Sequence, residues 1–203
     1  MIKIPRLPWD EYFMFQAHVV ATRSTCDRGP ELLLDPGRHG VGAVIVKDHR
    51  IIASGYNGSP PGHSHCDDPE TYMQCVICGG REKKYPDSNI CSCGMGDTME
   101  ERHGDHIMKD NHCVRTIHSE MNAIIQCALD GTNPQDSTIY CTASPCYDCA
   151  KVLIRSGIIR VYYGEAYESR YGLSGSVKEL LEQSGVKVES LVLEDLIKQQ
   201  KGE

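Results

Sequence analysis

Two short segments, His118-Ser119-Glu120 and Pro145-Cys146-Tyr147-Asp148-Cys149, constrain this chain's fold more than any other feature. They supply one imidazole, two thiols and a carboxylate. A metal held open for chemistry takes three protein ligands and leaves its fourth position to water. His118, Cys146 and Cys149 can be those ligands, with Glu120 the carboxylate that does not bind, so the fold must bring the segments together. Each reads as a helix start. From His118 to Leu129, apolar residues recur at Met121, Ile124, Ile125 and Ala128 with helical spacing, and Asp130-Gly131 is a sensible stop. The first turn, where Glu120 falls, favours negative charge. Pro145, a residue preferred at the first helical position, is expected to open the second helix, with Cys146 and Cys149 on one face. Thiols at a helix N-terminus ionise more readily, which suits a metal. A lone Cys-x-x-Cys could be a redox pair or half of a structural knuckle. The two segments together point to a catalytic zinc.

The rest of the chain predicts an alternating α/β domain. Trp9 to about Arg23 has an amphipathic helical pattern with Phe13, Ala17, Val20 and Ala21 on one side. Val41–Lys47 and Arg50–Gly55 read as a hairpin turning at Asp48-His49. Three further strands are expected at Thr138–Thr142, Ile158–Tyr163 and Val186–Leu191. Helices are expected at Tyr147–Ser156, about Gly175–Ser184 and near Leu193–Gln200. Strands alternating with helices imply a sheet covered on both faces.

Length and composition narrow the function. At 203 residues the chain is long enough for one full core, and no apolar run approaches a membrane span. The first residues lack the apolar stretch of a signal peptide, so a cytoplasmic protein is expected. The 11 cysteines are spaced more like metal ligands than like a secreted disulfide framework. A net charge of −7 disfavours a long polyanion as partner, because nucleic-acid affinity comes largely from Lys and Arg. A single phosphate needs only a few local donors.

Several stretches resemble the deoxycytidylate (dCMP) deaminases, in the subgroup of bacterial late-competence-operon and phage enzymes. They are Arg23-Ser-Thr-Cys26, Val41-Gly-Ala-Val-Ile-Val, Gly55-Tyr-Asn-Gly-Ser-Pro-Pro-Gly62, His65-Cys66-Asp67 and Asn111 through Ile124. The resemblance continues through Ser144–Lys151 and Ser156-Gly-Ile; residues Arg28–His39 and about 69–104 read as insertions within one domain. Family members usually have His-Ala-Glu where this chain has His118-Ser119-Glu120, a change expected to preserve the backbone contact to substrate at Ser119. The resemblance implies a cytidine-deaminase-like three-layer α/β/α fold with a central five-stranded mixed sheet. It implies hydrolysis of dCMP to dUMP and ammonia, feeding thymidylate synthesis, with Glu120 as proton shuttle. It also implies a sugar-hydroxyl contact from Asn57 and a 5′-phosphate contact from Tyr167, although Asn57 also suits a plain turn and Tyr167 a half-buried aromatic. Relatives of this type are commonly homo-hexamers, activated by dCTP with Mg²⁺ and inhibited by dTTP near the Gly55–Gly62 loop. Neither nucleic acid nor membrane is an expected partner. The rival readings are a tRNA adenosine deaminase, a free cytidine or cytosine deaminase, and a zinc-stabilised binding module.

The remaining cysteines suggest more metal. The resemblance implies a structural zinc on Cys26, Cys66, His106 and Cys113, with His65 and His112 as adjacent rivals. In the 69–104 stretch, Cys75-x-x-Cys78 and Cys91-x-Cys93, each followed by glycine, read as a zinc knuckle, making three zinc ions per chain. Cys127 and Cys141 read as core residues.

Overall fold

The computed structural model describes residues 6–75, 77, 81–83, 99–104, 106–109, 112–166 and 176–193. In chain order the elements are α1 (Trp9–Ala21), β1 (Glu31–Leu32), β2 (Asp35–His39), β3 (Gly42–Lys47), β4 (Arg50–Tyr56) and β5 (Asp68–Cys75). They continue with β6 (Arg81–Lys83), β7 (Met99–Gly104), β8 (Met108–Lys109), β9 (His112–Cys113), α2 (Ser119–Leu129) and β10 (Thr138–Ala143). The last are α3 (Tyr147–Arg155), β11 (Arg160–Glu165), α4 (Ser176–Gln183) and β12 (Lys187–Ser190).

Five strands make the central sheet in the order β12-β11-β10-β3-β4. The hairpin β3–β4 is antiparallel because two residues turn it: Asp48 and His49 have φ of 50° and 58°, as a type I′ turn requires. β10, β11 and β12 run parallel, joined through α3 and α4, while β10 pairs antiparallel with β3. The sheet is therefore mixed, as expected. Successive side chains of β3 point to opposite faces. Val44 and Val46 meet Phe13, Met14 and Ala17 of α1. Ala43 and Ile45 belong to the other core, with Ala123 and Cys127 of α2, Leu153 of α3, and Val177 and Leu181 of α4. One helix on one face and three on the other give the three layers. Cys127 and Cys141 are core residues, as expected.

Two local expectations need correction. The apolar stripe of α2 at Met121, Ile124, Ile125 and Ala128 is not its most buried face: that face is Ser119, Glu120, Ala123 and Cys127, while Ile124 packs half-buried against the core and Ile125 is exposed. Small residues face the sheet there because the helix lies almost on the strand backbone. Pro145 does not open α3; the helix begins at Tyr147 with Cys146 as its cap in extended conformation, so Pro145 ends the approach from β10. Residues 28–39 and 69–104, read as insertions, contain strands of their own. The first carries the β1–β2 hairpin, and the second contributes to a three-stranded sheet β6-β5-β7. The end of α2 does follow the sequence: Gly131 has φ 65°, and Thr132 N–H reaches Cys127 C=O at 2.8 Å, closing a Schellman cap. Of the expected last helix, only Leu193 lies within the described residues, packed against the α1 core. Among the described residues no helix is long and apolar enough to cross a membrane.

A polar clasp ties α1 to the sheet. Tyr140 and Tyr162, cross-strand partners on β10 and β11, stack with ring centroids 5.1 Å apart. Their hydroxyls donate to the two carboxylate oxygens of Asp10 in the first turn of α1, at 2.6 and 3.2 Å. Hydrogen bonds to a charged group contribute more than neutral ones. Asp10→Ala is expected to cost about 2 kcal/mol in urea-unfolding free energy, whereas substitution of the exposed Asp35 should cost far less.

Candidate metal-dependent active site

The N-termini of α2 and α3 converge. His118 caps α2 and Cys146 caps α3, both in extended conformation, and the Cys146 thiol is also bonded to Cys149 of α3. They turn toward each other. His118 Nδ1 lies 3.4 Å from Cys146 Sγ and 3.5 Å from Cys149 Sγ. Around a tetrahedral zinc with ordinary bond lengths, a nitrogen and a sulfur ligand sit about 3.6 Å apart. The donor set and its spacing therefore fit zinc, and these three residues form one group able to hold a metal ion. His118 is held in place by its neighbour: Ile117 exchanges two backbone hydrogen bonds with Gly58, at 2.9 and 3.2 Å. Asn122 then hooks α2 to the strand end, donating to Tyr56 C=O at 2.7 Å.

Glu120 sits in the first turn of α2, only 4% exposed. Burial pushes its carboxyl above the usual range, opposed mainly by the charge of His118. Ser119 Oγ donates to Glu120 Oε2 at 3.0 Å. A carboxyl held in this position with raised proton affinity suits acid–base work. Cys146 is pulled down to about 4 by the hydrogen bond from Cys149 and then by His118, while Cys149 is pushed up by the same bond and by burial. His118 is raised to about 9 by its bond to Cys146.

One pocket connects these groups. His118, Ser119, Glu120 and Cys146 line it together with Asn57, Arg28, His112 and Thr116. Asn57 is buried and knotted into the backbone: its Oδ1 accepts from Val41 N–H at 2.7 Å and from Ser24 Oγ, and its Nδ2 donates to Cys26 C=O at 3.1 Å. An amide nitrogen carries two hydrogens, and among the described residues the second has no protein acceptor. Asn57 is thus fixed in its turn while also lining the pocket. Arg28, Thr116 and the place of His112 in the lining were missed from sequence. Arg28 opens what reads as an insertion, and its only signal is its place two residues after Cys26.

A second group able to hold a metal ion comprises Cys26, Cys66, His106 and Cys113. Cys66 and Cys113 Sγ are 3.6 Å apart, and His106 Nδ1 is 3.7 Å from Cys26 Sγ. Both spacings match the separation of about 3.6–3.8 Å between ligands of one tetrahedral zinc. The group contains Cys66 and Cys113 rather than their neighbours His65 and His112. Of the third expected site, Cys75 is buried at the end of β5, whereas Cys78, Cys91 and Cys93 lie outside the described residues, as does Tyr167.

Residues 7–165 match the model of the cytidine and deoxycytidylate deaminase zinc-binding region, and the chain belongs to that family. It is a hydrolytic deaminase with zinc as its cofactor. It is 38% identical over 192 residues to ComE operon protein 2 of Bacillus subtilis, covering 95% of this chain and 76% of that one. It is 32% identical over 158 residues to the deoxycytidylate deaminase of Mycobacterium phage D29, covering 78% of this chain and 95% of that one. The dCMP deaminase of cyanophage S-TIM5, solved in complex with dCMP and dUMP, superposes with a TM-score of 0.57 at 25% identity, over 93% of this chain and 100% of that one.

The position of Glu120 rests on Gly55. A Cβ at Gly55 would lie 2.3 Å from Ser119 C=O and 2.5 Å from Ala123 N, both helix backbone. Such overlap is relieved only by moving α2. Gly55→Ala is expected to lower turnover by about 100-fold, as an ångström-scale misplacement does, in protein that still folds; steady-state kinetics of the purified variant measures this.

Proposed function

We propose that this protein deaminates dCMP to dUMP, releasing ammonia and feeding thymidylate formation. The observation that carries the reading is that one pocket is lined both by His118, Glu120 and Cys146 and by the cationic residue Arg28, with His112 beside it. A nucleoside monophosphate presents chemistry for both: an amidine at C4 and an anionic phosphate that a guanidinium recognises well. The substrate named for the phage relatives supports the same reading.

His118, Cys146 and Cys149 would hold the catalytic zinc, which when bound would supply Lewis acidity and favour hydroxide at neutral pH. Glu120 takes a proton from the attacking water and delivers it to ring N3 as the oxygen adds at C4. Glu120 then takes the second proton of the water from the new C4 hydroxyl and passes it to N4, so that C4=O forms as the C4–N4 bond breaks and ammonia leaves; it serves in turn as base and as acid. Asn57 takes a sugar hydroxyl, the Ser119 backbone contacts the base, and Tyr167 reaches the 5′-phosphate alongside Arg28. Cys26, Cys66, His106 and Cys113 hold a closed zinc that contributes to folding, and Cys75, Cys78, Cys91 and Cys93 hold another within an insertion at 69–104 of a single domain. The enzyme works in the cytoplasm as a homo-hexamer, with Mg²⁺–dCTP as activator and dTTP as inhibitor near the Gly55–Gly62 loop. The position of Asn57 in both that loop and the pocket supports an effector acting there.

Ammonia release from dCMP, dCTP, deoxycytidine, cytidine and cytosine tests the substrate. The expected order puts dCMP first by a wide margin, and preference for a free nucleoside or base would overturn the reading. Glu120→Gln keeps the shape of the site without the proton shuttle. It is expected to lower kcat by about 10³-fold with zinc content unchanged by elemental analysis; loss of the zinc would instead make Glu120 a ligand.

A further inference from the structure

The second metal group has an outer partner that catalysis does not use. Asp27 lies between Cys26 of that group and Arg28 of the pocket. Its Oδ1 is 2.7 Å from Nε2 of His106, and Nδ1 of the same ring faces Cys26 Sγ at 3.7 Å. The two ring nitrogens thus have separate tasks. An imidazole that binds metal through Nδ1 carries its hydrogen on Nε2, and a carboxylate accepting that hydrogen fixes both tautomer and ring plane. The His106 side chain is 18% exposed and that of Asp27 71%, so the carboxylate closes the group on its solvent side.

The same segment forms part of the substrate pocket. Cys26 and Cys113 themselves line it. The Cys26 carbonyl accepts from Asn57 Nδ2 at 3.1 Å, so the backbone at this metal ligand also orients Asn57. We propose that Asp27 is the outer-sphere residue of the second zinc centre, orienting His106, and that the centre it completes holds one wall of the nucleotide pocket. The inference rests on the zinc and dCMP readings above, and Asp27 is a positioning residue.

The test compares zinc-loaded wild type with Asp27→Ala and with Asp67→Ala, which removes an exposed carboxylate next to Cys66 and so controls for charge alone. Native mass spectrometry counts the zinc ions, and competition with a chromogenic chelator measures their affinity. Asp27→Ala is expected to weaken one zinc by about 10- to 100-fold, leaving the catalytic zinc and the Asp67→Ala protein at wild-type affinity. In partly depleted Asp27→Ala, KM for dCMP should rise more than kcat falls, and added zinc should restore it. Unchanged zinc affinity in Asp27→Ala, equal weakening in Asp67→Ala, or wild type without zinc on these ligands would each overturn the assignment of Asp27. Weakened zinc with an unmoved KM would overturn the role in the pocket. The zinc measurements need no substrate, so they fail independently of the dCMP reading.

Discussion

The first turn of α2 lies directly on the backbone of β4, and the position of every reactive group follows from that contact. Gly55 permits it, since any side chain there would collide with the helix backbone near Ser119 and Ala123. The small face of Ser119, Ala123 and Cys127 completes it. Close docking buries Glu120, which raises its proton affinity, and places His118 at a helix start opposite that of α3. The imidazole of one cap and the thiol of the other then face each other across the two helix starts.

This contact also explains which expectations from sequence succeeded. His118, Cys146 and Cys149 were legible because each lies in a short local motif with fixed spacing. The five central strands and the Asp48-His49 turn were legible for the same reason: β-branched runs and turn geometry are local properties. The buried face of α2 was misjudged because hydrophobicity favours Met121, Ile124 and Ile125, while close backbone approach selects small residues that carry no hydrophobic signal. Pro145 was misplaced by one structural role, since a proline before a cap and a proline inside the first turn look alike in sequence. Choosing Cys66 and Cys113 over His65 and His112 followed family resemblance; here the distances among the donor atoms support it. Arg28 carries no motif, and only the fold brings it into the same pocket lining as Glu120.

Hydrogen bonds tie the second metal group to the pocket. Ser24, Cys26, Val41 and Asn57 form a buried hydrogen-bonded network that runs from one group to the lining of the pocket. Buried networks of this kind rigidify only when fully satisfied. A zinc on Cys26 would hold one end of the network, and the strand at Val41 holds the other. An acidic protein thereby keeps a few local donors in place for one anionic ligand, without the broad basic surface that nucleic acid requires.

Diffraction data collected on either side of the zinc absorption edge test the central claim most directly. An anomalous peak is expected among His118 Nδ1, Cys146 Sγ and Cys149 Sγ, at about 2.0–2.3 Å from each, with the Glu120 carboxylate beside it but beyond bonding distance. A peak bonded to Glu120, or no zinc between the two helix starts, would contradict an open catalytic centre built on converging helix N-termini.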